Sequence, residues 1–238
     1  MHDTAAVIVA AGNSTRMRLK GNKNYIEHGG RMLLSYTIAS FDLCPQVDRI
    51  ILVIKPSEKE SALRAVAQSG TSKEVIFAPG GDSRQQSVLS GLEAAEGSSY
   101  VAIHDGARCL IMSSDITRVL KAAYETGAAT LASRVSDTCV WLAEDGSGSG
   151  DYLDRSRIAA IQTPQCFRYE GILNAHRMAQ KEGFTGTDDT GIYRRYEGKV
   201  ELVYSEYKNM KITEPGDLEI AEALLKFREE RRESDAAK

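Results

Sequence analysis

Along most of this chain, apolar runs short enough to be strands alternate with stretches of helical periodicity. The runs Ala5–Ala10, Arg49–Ile54, Glu74–Phe77, Tyr100–His104 and Ala128–Val135 read as buried strands. Amphipathic segments near Met32–Asp42, Glu58–Gln68, Arg84–Ala95 and Ile116–Thr126 read as the helices between them. This spacing predicts βαβ units, and so an α/β fold with a doubly wound, mostly parallel twisted sheet and right-handed crossovers. The pattern changes after Val135. Residues 136–160 are polar and turn-rich around Gly146, Gly148 and Gly150, which predicts a β-hairpin arm projecting from the sheet. Helical periodicity returns over Glu170–Glu182, Asp188–Tyr196 and Pro215–Arg232, with one more strand at Val200–Tyr204. The expectation is a single domain over residues 1–238, with the arm at about 136–160.

Composition narrows the class of function. The 238 residues carry a net charge of −3 and 26% charged residues spread along the chain, so no global basic field points to nucleic acid. No apolar run approaches the roughly 20 residues that span a bilayer, and the start lacks a secretory pattern. The four cysteines, Cys44, Cys109, Cys139 and Cys166, stand far apart without a CxxC pair. Neither a disulfide framework nor a structural zinc is therefore expected, and a reducing cytoplasm fits.

Candidate chemistry gathers where strands should end. Ala5–Ala11 breaks at Gly12 into a short polar loop carrying Arg16, with Lys23 soon after. Backbone N–H groups and fixed cations at the carboxyl end of a buried strand suit a chain of phosphates. No GxGxxG follows that strand, which argues against a dinucleotide-dependent dehydrogenase. After the third strand comes Gly80-Gly-Asp-Ser-Arg-Gln-Gln-Ser87, where Asp82, Arg84 and Ser87 offer hydrogen bonds beside a close glycine turn. It can read the edge of a base, or it can be a plain strand-to-helix connection with Asp82 or Ser83 as N-cap. After the fourth strand, His104-Asp-Gly-Ala-Arg108 puts a carboxylate where a hard divalent cation and phosphate oxygens meet, and an arginine that can clamp an anion. The plainer alternative is a capping Asp105 and a solvated Arg108. His104 is expected to be structural, because a phosphate oxygen needs no base to become a nucleophile. Lys211, in Asn209-Met-Lys-Ile-Thr213 before the helix start at Pro215, joins these loops or is surface charge.

These segments, in this order, resemble the 2-C-methyl-D-erythritol 4-phosphate cytidylyltransferase family of the non-mevalonate isoprenoid pathway. The resemblance spans about residues 5–225. It rests on the Ala-Ala-Gly loop with Arg16-Met17, GGDSR with Ser87, HDGAR, Ser136-Asp-Thr138, Asp154-Arg155, Thr163-Pro-Gln165, Thr187-Asp188 and NMKIT. It implies a Rossmann-like nucleotidyltransferase fold and cytidylyl transfer from CTP to a sugar-alcohol phosphate, with Mg2+ as cofactor. By this resemblance Ala10, Ala11, Gly12, Arg16 and Lys23 form the triphosphate loop, and Gly81, Asp82 and Ser87 read cytosine. Asp105 stands near the metal and the ribose, with Gly106 beside it. Arg108, Thr138, Arg155, Thr163 and Lys211 hold the acceptor phosphate, and Arg16, Lys23 and Lys211 are the catalytic cations. A homodimer with exchanged arms is also implied, with Thr138 and Arg155 serving the partner's site. The chain departs from the family's usual pattern at Val9, Asn22, Asn24, Gly106, Cys109 and Val140. Another polyol phosphate such as ribitol 5-phosphate, and a silent nucleotide-binding protein, remain as alternatives.

Overall fold

The run Thr4–Val9 forms strand β1, and its residues divide between two cores. Ala6 and Ile8 pack into one, Ala5 and Val7 into the other, and all four are fully buried. A strand without a wet face sits in the middle of a sheet covered on both sides. The computed structural model describes residues 2–14, 17, 21–146 and 148–236. A short hairpin (Glu27–His28 as β2, Arg31–Met32 as β3) leads into helix α1 (Leu33–Asp42). Then follow β4 (Arg49–Ile54), α2 (Lys59–Ser69), β5 (Glu74–Pro79), α3 (Arg84–Ala94), β6 (Tyr100–Asp105), α4 (Ser113–Thr126) and β7 (Ala128–Arg134). The second half contains β8 (Val140–Leu142), β9 (Ser149–Tyr152), β10 (Ala159–Arg168), α5 (Tyr169–Glu182), α6 (Asp189–Tyr196), β11 (Glu201–Tyr204) and α7 (Pro215–Ala236).

The main sheet has seven strands in the order β11-β7-β10-β6-β1-β4-β5. Among the described residues β10 runs antiparallel to both its neighbours, and the other pairs are parallel. The core on one face is filled from α1, α2 and α4, and that on the other from α3 and α5. The expected mostly parallel, doubly wound sheet is therefore present, with strand ends within a residue or two of the reading. What the hydrophobic pattern missed is β10. Its centre is Gln162-Thr-Pro-Gln165, polar and interrupted by proline, and the ladder to β7 shifts register between Ile161 and Gln165. A proline inside a sheet sits at such an irregularity, where no ladder donor is required. The second missed pairing is the small β2–β3 hairpin, whose two-residue strands are too short to show any periodicity.

Strands β8 and β9 pair antiparallel as a separate two-stranded ribbon. Trp141, Leu142 and Tyr152 on it are 65%, 72% and 74% exposed.

Register decides where loops meet. Val9, the last residue of β1, lies opposite both Asp105 of β6 and Val53 of β4. Three backbone bonds then stitch the strand ends together: Gly106 N–H to Val9 C=O at 2.9 Å, Ala10 N–H to Val53 C=O at 2.8 Å, and Gly80 N–H to Ile54 C=O at 2.8 Å. The loops after β1, β5 and β6 thus converge on one edge, the carboxyl edge at which open α/β sheets bind ligands. Helix α3 comes close to this sheet because position 91 has no side chain. A Cβ there would stand 2.5 Å from Val7 Cγ1 and 2.7 Å from Val53 Cγ2, both stiff β-branched side chains. Gly91→Ala is expected to destabilise the fold by about 1–3 kcal/mol, the scale of overpacking a filled core. Urea denaturation checks this, and an unchanged midpoint would contradict the close packing.

Candidate functional site

The converging loops enclose an open cleft of about 590 Å3. One wall is the turn after β1, where Ala11, Gly12, Asn13 and Ser14 line the cleft and Ala10 lies buried behind them. The opposite wall is the start of α3. Gly80 lets these walls touch, since a Cβ at position 80 would fall 2.3 Å from Ala11 Cβ. Ser83 caps α3, its side chain accepting from Gln86 N–H, so the capping alternative for this segment is realised by Ser83. The same turn still presents Gly81, Asp82 and Ser87 to the cleft. Its shape is fixed internally: Gly81 N–H donates to Ser87 Oγ at 3.0 Å and Asp82 N–H donates to Gln86 Oε1 at 2.8 Å. The first turn of α3 adds the partial positive charge of a helix N-terminus to this wall.

Asp105, at the end of β6, forms the floor. Three cations surround its carboxylate: Lys211 Nζ at 2.9 Å, Arg84 Nε at 3.1 Å and Arg108 Nε at 3.7 Å. Burial opposes ionisation of this group, and the attraction of Arg84, Lys211 and Arg108 overrides it, holding the carboxyl far below the usual range. Asp105 is thus a fixed negative charge outnumbered by its partners. Lys23, Lys55, Arg84 and Lys211 line the cleft against the carboxylates Asp82 and Asp105, so its lining favours a polyanion.

Each cation is held from behind. Arg84 bridges Asp105 to Asp189 on α6, 2.8 Å from its Nη2, and Asp189 in turn meets the buried His176 at 3.2 Å. Burial lowers the Arg84 pKa, but Asp189 and Asp105 outweigh it and the net shift is upward. Lys211 rides on an extended segment pinned by Ile212 N–H to Ala107 C=O at 2.9 Å. Asn209 Nδ2 ties the same segment to Thr163 C=O at 2.8 Å, and Asn209 C=O accepts from Arg108 at 2.9 Å.

A buried relay fixes the backbone at Asp105. Asp105 N–H donates to Thr163 Oγ1 at 3.1 Å, which lies 3.0 Å from His104 Nδ1, while His104 Nε2 lies 3.3 Å from Arg108 C=O. A carbonyl only accepts, so Nε2 carries the proton, Nδ1 accepts and the Thr163 hydroxyl donates to it. Burial pushes the His104 pKa down to about 3, so the ring is neutral and structural, as the sequence reading expects.

Lys23, Lys211, Ala11, Gly12, Gly81, Asp82, Ser87 and Asp105 therefore meet in one cleft, with Ala10 and Gly106 directly behind its wall. Arg108 and Thr163 stand behind Asp105 with their polar atoms turned inward. Thr138 and Arg155 lie exposed beside the ribbon and do not line the cleft among the described residues; Arg155 donates to Ser136 C=O at 2.7 Å. Arg16 lies outside the described residues. Among the residues lining the cleft that the family resemblance does not single out are Arg84, Lys55, Ser14, Asn22 and Asn24. Arg84 is visible in the sequence as a polar neighbour of the glycine turn. Its partner Asp189 is 105 positions away, a separation no local pattern carries.

A family model described as "IspD: 2-C-methyl-D-erythritol 4-phosphate cytidylyltransferase" matches residues 4–227. The 2-C-methyl-D-erythritol 4-phosphate cytidylyltransferase of Clostridium acetobutylicum is 41% identical over 222 residues, 93% of this chain and 96% of that protein. The enzyme of the same name from Caldanaerobacter subterraneus subsp. tengcongensis is 42% identical over 226 residues, 94% of this chain and 99% of that one. Among solved structures, a 4-diphosphocytidyl-2C-methyl-D-erythritol synthase from Anaerococcus prevotii superposes with a TM-score of 0.83 at 28% identity, covering 94% and 96% of the two chains. The 2-C-methyl-D-erythritol 4-phosphate cytidylyltransferase of Thermus thermophilus gives 0.75 at 32% identity, covering 93% and 98%.

The His104 relay generates a pH signature. Its folded-state pKa, about 3, lies below the ordinary 6.5. Below that ordinary value the unfolded chain binds a proton that the native chain refuses. Stability is therefore lost as pH falls from about 6.5 towards 3, at up to ~1.4 kcal/mol per pH unit. His104→Gln keeps an N–H for the Arg108 carbonyl and removes the titration, so its stability is expected to depend less steeply on pH by about one proton. Chemical denaturation at pH values across that window reads the slope, and equal slopes in both proteins would overturn the neutral, buried ring.

Proposed function

The chain belongs to the 2-C-methyl-D-erythritol 4-phosphate cytidylyltransferase family, and from that premise we propose how its own residues divide the reaction. It is a nucleotidyltransferase of isoprenoid biosynthesis that moves CMP from CTP to 2-C-methyl-D-erythritol 4-phosphate, giving 4-diphosphocytidyl-2-C-methyl-D-erythritol and pyrophosphate. The observation that carries the division of roles is the cation-rich cleft built around Asp105.

A phosphomonoester oxygen of the acceptor attacks the α-phosphorus of CTP. A new P–O bond forms, the bond from the α-phosphorus to its bridging oxygen breaks, and that electron pair leaves with pyrophosphate. The nucleophile is already deprotonated, so no base is required, and a neutral His104 sealed behind the wall is compatible with this. The obstacle is bringing two anions together and stabilising the charge crowded around one phosphorus, which position and preorganised cations relieve. Ala11 and Gly12 cradle the triphosphate, with Ala10 buried behind them and both its backbone groups already bonded, while Arg16, Lys23 and Lys211 neutralise the α-phosphate and the attacking group. Gly81, Asp82 and Ser87 meet the hydrogen-bonding edge of cytosine, and Asp105, with Gly106 buried behind the wall, faces the ribose side. Arg108 and Thr163 form the acceptor-side wall behind Asp105.

The donor set fits a divalent cation only as one carried in by the triphosphate. Asp105 is a single carboxylate already ringed by cations, and no cluster of three His, Cys, Asp or Glu side chains able to hold a metal occurs among the described residues. Mg2+, which typically binds through one or two carboxylates plus substrate phosphates, would be held by Asp105 and would neutralise the departing pyrophosphate.

We further assign the exposed β8–β9 ribbon to a homodimer in which Thr138 and Arg155 reach the partner's acceptor site. The exposed Trp141, Leu142 and Tyr152 support this, since apolar side chains grouped on so small a ribbon call for a covering surface. Four free thiols suit a reducing cytoplasm, and no helix among the described residues is long and apolar enough to cross a membrane.

Pyrophosphate release from each of the four nucleoside triphosphates, with methylerythritol phosphate and ribitol 5-phosphate as competing acceptors, tests substrate choice. Release is expected with CTP and the first acceptor; turnover on ribitol phosphate alone would move the assignment to that acceptor, and CTP binding without turnover would mark a silent binder. Lys23→Ala and Arg16→Ala are each expected to lower kcat by at least about 100-fold, the scale of removing one preorganised stabilising group. Near-normal turnover in either variant would remove that residue from the catalytic set.

A further inference from the structure

The two asparagines flanking Lys23, which depart from the family's usual Pro-Lys-Gln, form a connected hydrogen-bond clamp. Asn22 caps the short 3-10 turn Lys23–Tyr25. Its Nδ2 donates to Ala10 C=O at 2.7 Å and to the Glu58 carboxylate at 2.9 Å. Its Oδ1 accepts from Asn24 N–H at 3.1 Å and from Asn24 Nδ2 at 3.0 Å. The second proton of Asn24 Nδ2 goes to the same Ala10 carbonyl at 3.1 Å. Lys23 N–H donates to Ser14 Oγ at 3.0 Å, and Tyr25 N–H to Asn22 C=O at 3.0 Å. Every backbone N–H of the turn that carries Lys23 is thus tied down, and two of the three end on Asn22.

The amide orientations follow from the network itself. A carboxylate and a carbonyl only accept, so the nitrogen of Asn22 faces Glu58 and Ala10 and its oxygen faces Asn24. Asn24 must then point its nitrogen at Asn22 and Ala10. Its own Oδ1 is left buried without a partner among the described residues, which costs about 1–3 kcal/mol. An apolar side chain could fill that space without this penalty. What asparagine supplies there, and leucine could not, is a pair of N–H donors that fasten the Lys23 turn to the end of β1.

We propose that Asn22 and Asn24 are positioning residues for Lys23, holding its backbone against the Ala10 carbonyl and Ser14 so that the ammonium meets the α-phosphate in transition-state register. This rests on the role given to Lys23 above. Ala10 donates its own N–H to Val53 C=O at 2.8 Å, so the clamp refers Lys23 to the rigid sheet as well as to Ser14 of the intervening loop.

The test is a double-variant cycle on cytidylyl transfer, with Asn24→Ala made in the wild-type and Lys23→Ala backgrounds. Asn24→Ala alone is expected to lower kcat about tenfold or more while KM for CTP moves by less than about threefold, because misplacement of a stabilising group is felt in the transition state. With Lys23→Ala already present, the same change is expected to cost less than about twofold, since there is no ammonium left to misplace. An equal loss in both backgrounds would make Asn24 merely structural and overturn the proposal. Should Asn24→Ala not fold, Asn24→Ser, which stays small and polar but cannot supply two N–H donors, replaces it in both backgrounds, and the same outcomes support or overturn the clamp. A Lys23→Ala enzyme with near-wild-type turnover would refute the underlying role of Lys23, an outcome distinct from additive losses in the cycle.

Discussion

A carboxylate kept ionised inside the wall of a cleft by more positive charge than it can neutralise organises this site. Isolated burial of Asp105 would protonate it or unfold the segment around it. With Arg84, Lys211 and Arg108 around it the charge is retained, and each cation is in turn oriented by the shared partner. The arrangement works in both directions. Asp105 gathers three cations that would otherwise repel one another, and their surplus leaves the cleft attractive to phosphate. Breaking such a cluster by removing one member is typically far more damaging than its net contribution to folding.

The cluster holds because the secondary structure delivers its members to one edge. Parallel strands all finish at the same side, and the register of β1 against β6 places Val9 beside Asp105. Close approach of the loops then depends on side chains that are missing. Gly80 admits Ala11, and Gly91 admits the two valines beneath α3. Rigid elements meet here, so the polar groups are preorganised by packing as well as by their own hydrogen bonds.

How legible this is in the sequence depends on the range of the interactions involved. Among the described residues the parallel strands and the α-helices announce themselves by local periodicity, and the glycine turns and the acidic strand end of the cleft by their residue types. Strand β10 is opaque because its polar centre satisfies neighbours on both sides, Gln165 bonding Asp188 and Thr190, instead of filling a core. The tie from Arg84 to Asp189 is invisible for another reason, since two residues distant in sequence meet only after three elements have packed. Asn22 and Asn24 look like blemishes in a motif and turn out to be its fastening. Arg108 and Thr163 stand out by motif, yet only the structure reveals that their polar atoms face the interior.

Strand β10 also has a mechanical meaning. The exposed ribbon of β8 and β9 leaves the molecule from β7 and returns into β10, and these two strands are hydrogen-bonded to each other. Thr163, on β10, holds the backbone of Asp105. The ribbon is a separate hairpin hung on that pair by residues 135–139 and 153–158. The register shift of the ladder, between Ile161 and Gln165, falls where Thr163 meets Asp105. A surface that grips the ribbon therefore bears on the floor of the cleft through two short connectors and one break in the ladder, as a jointed lever and not as a rigid rod.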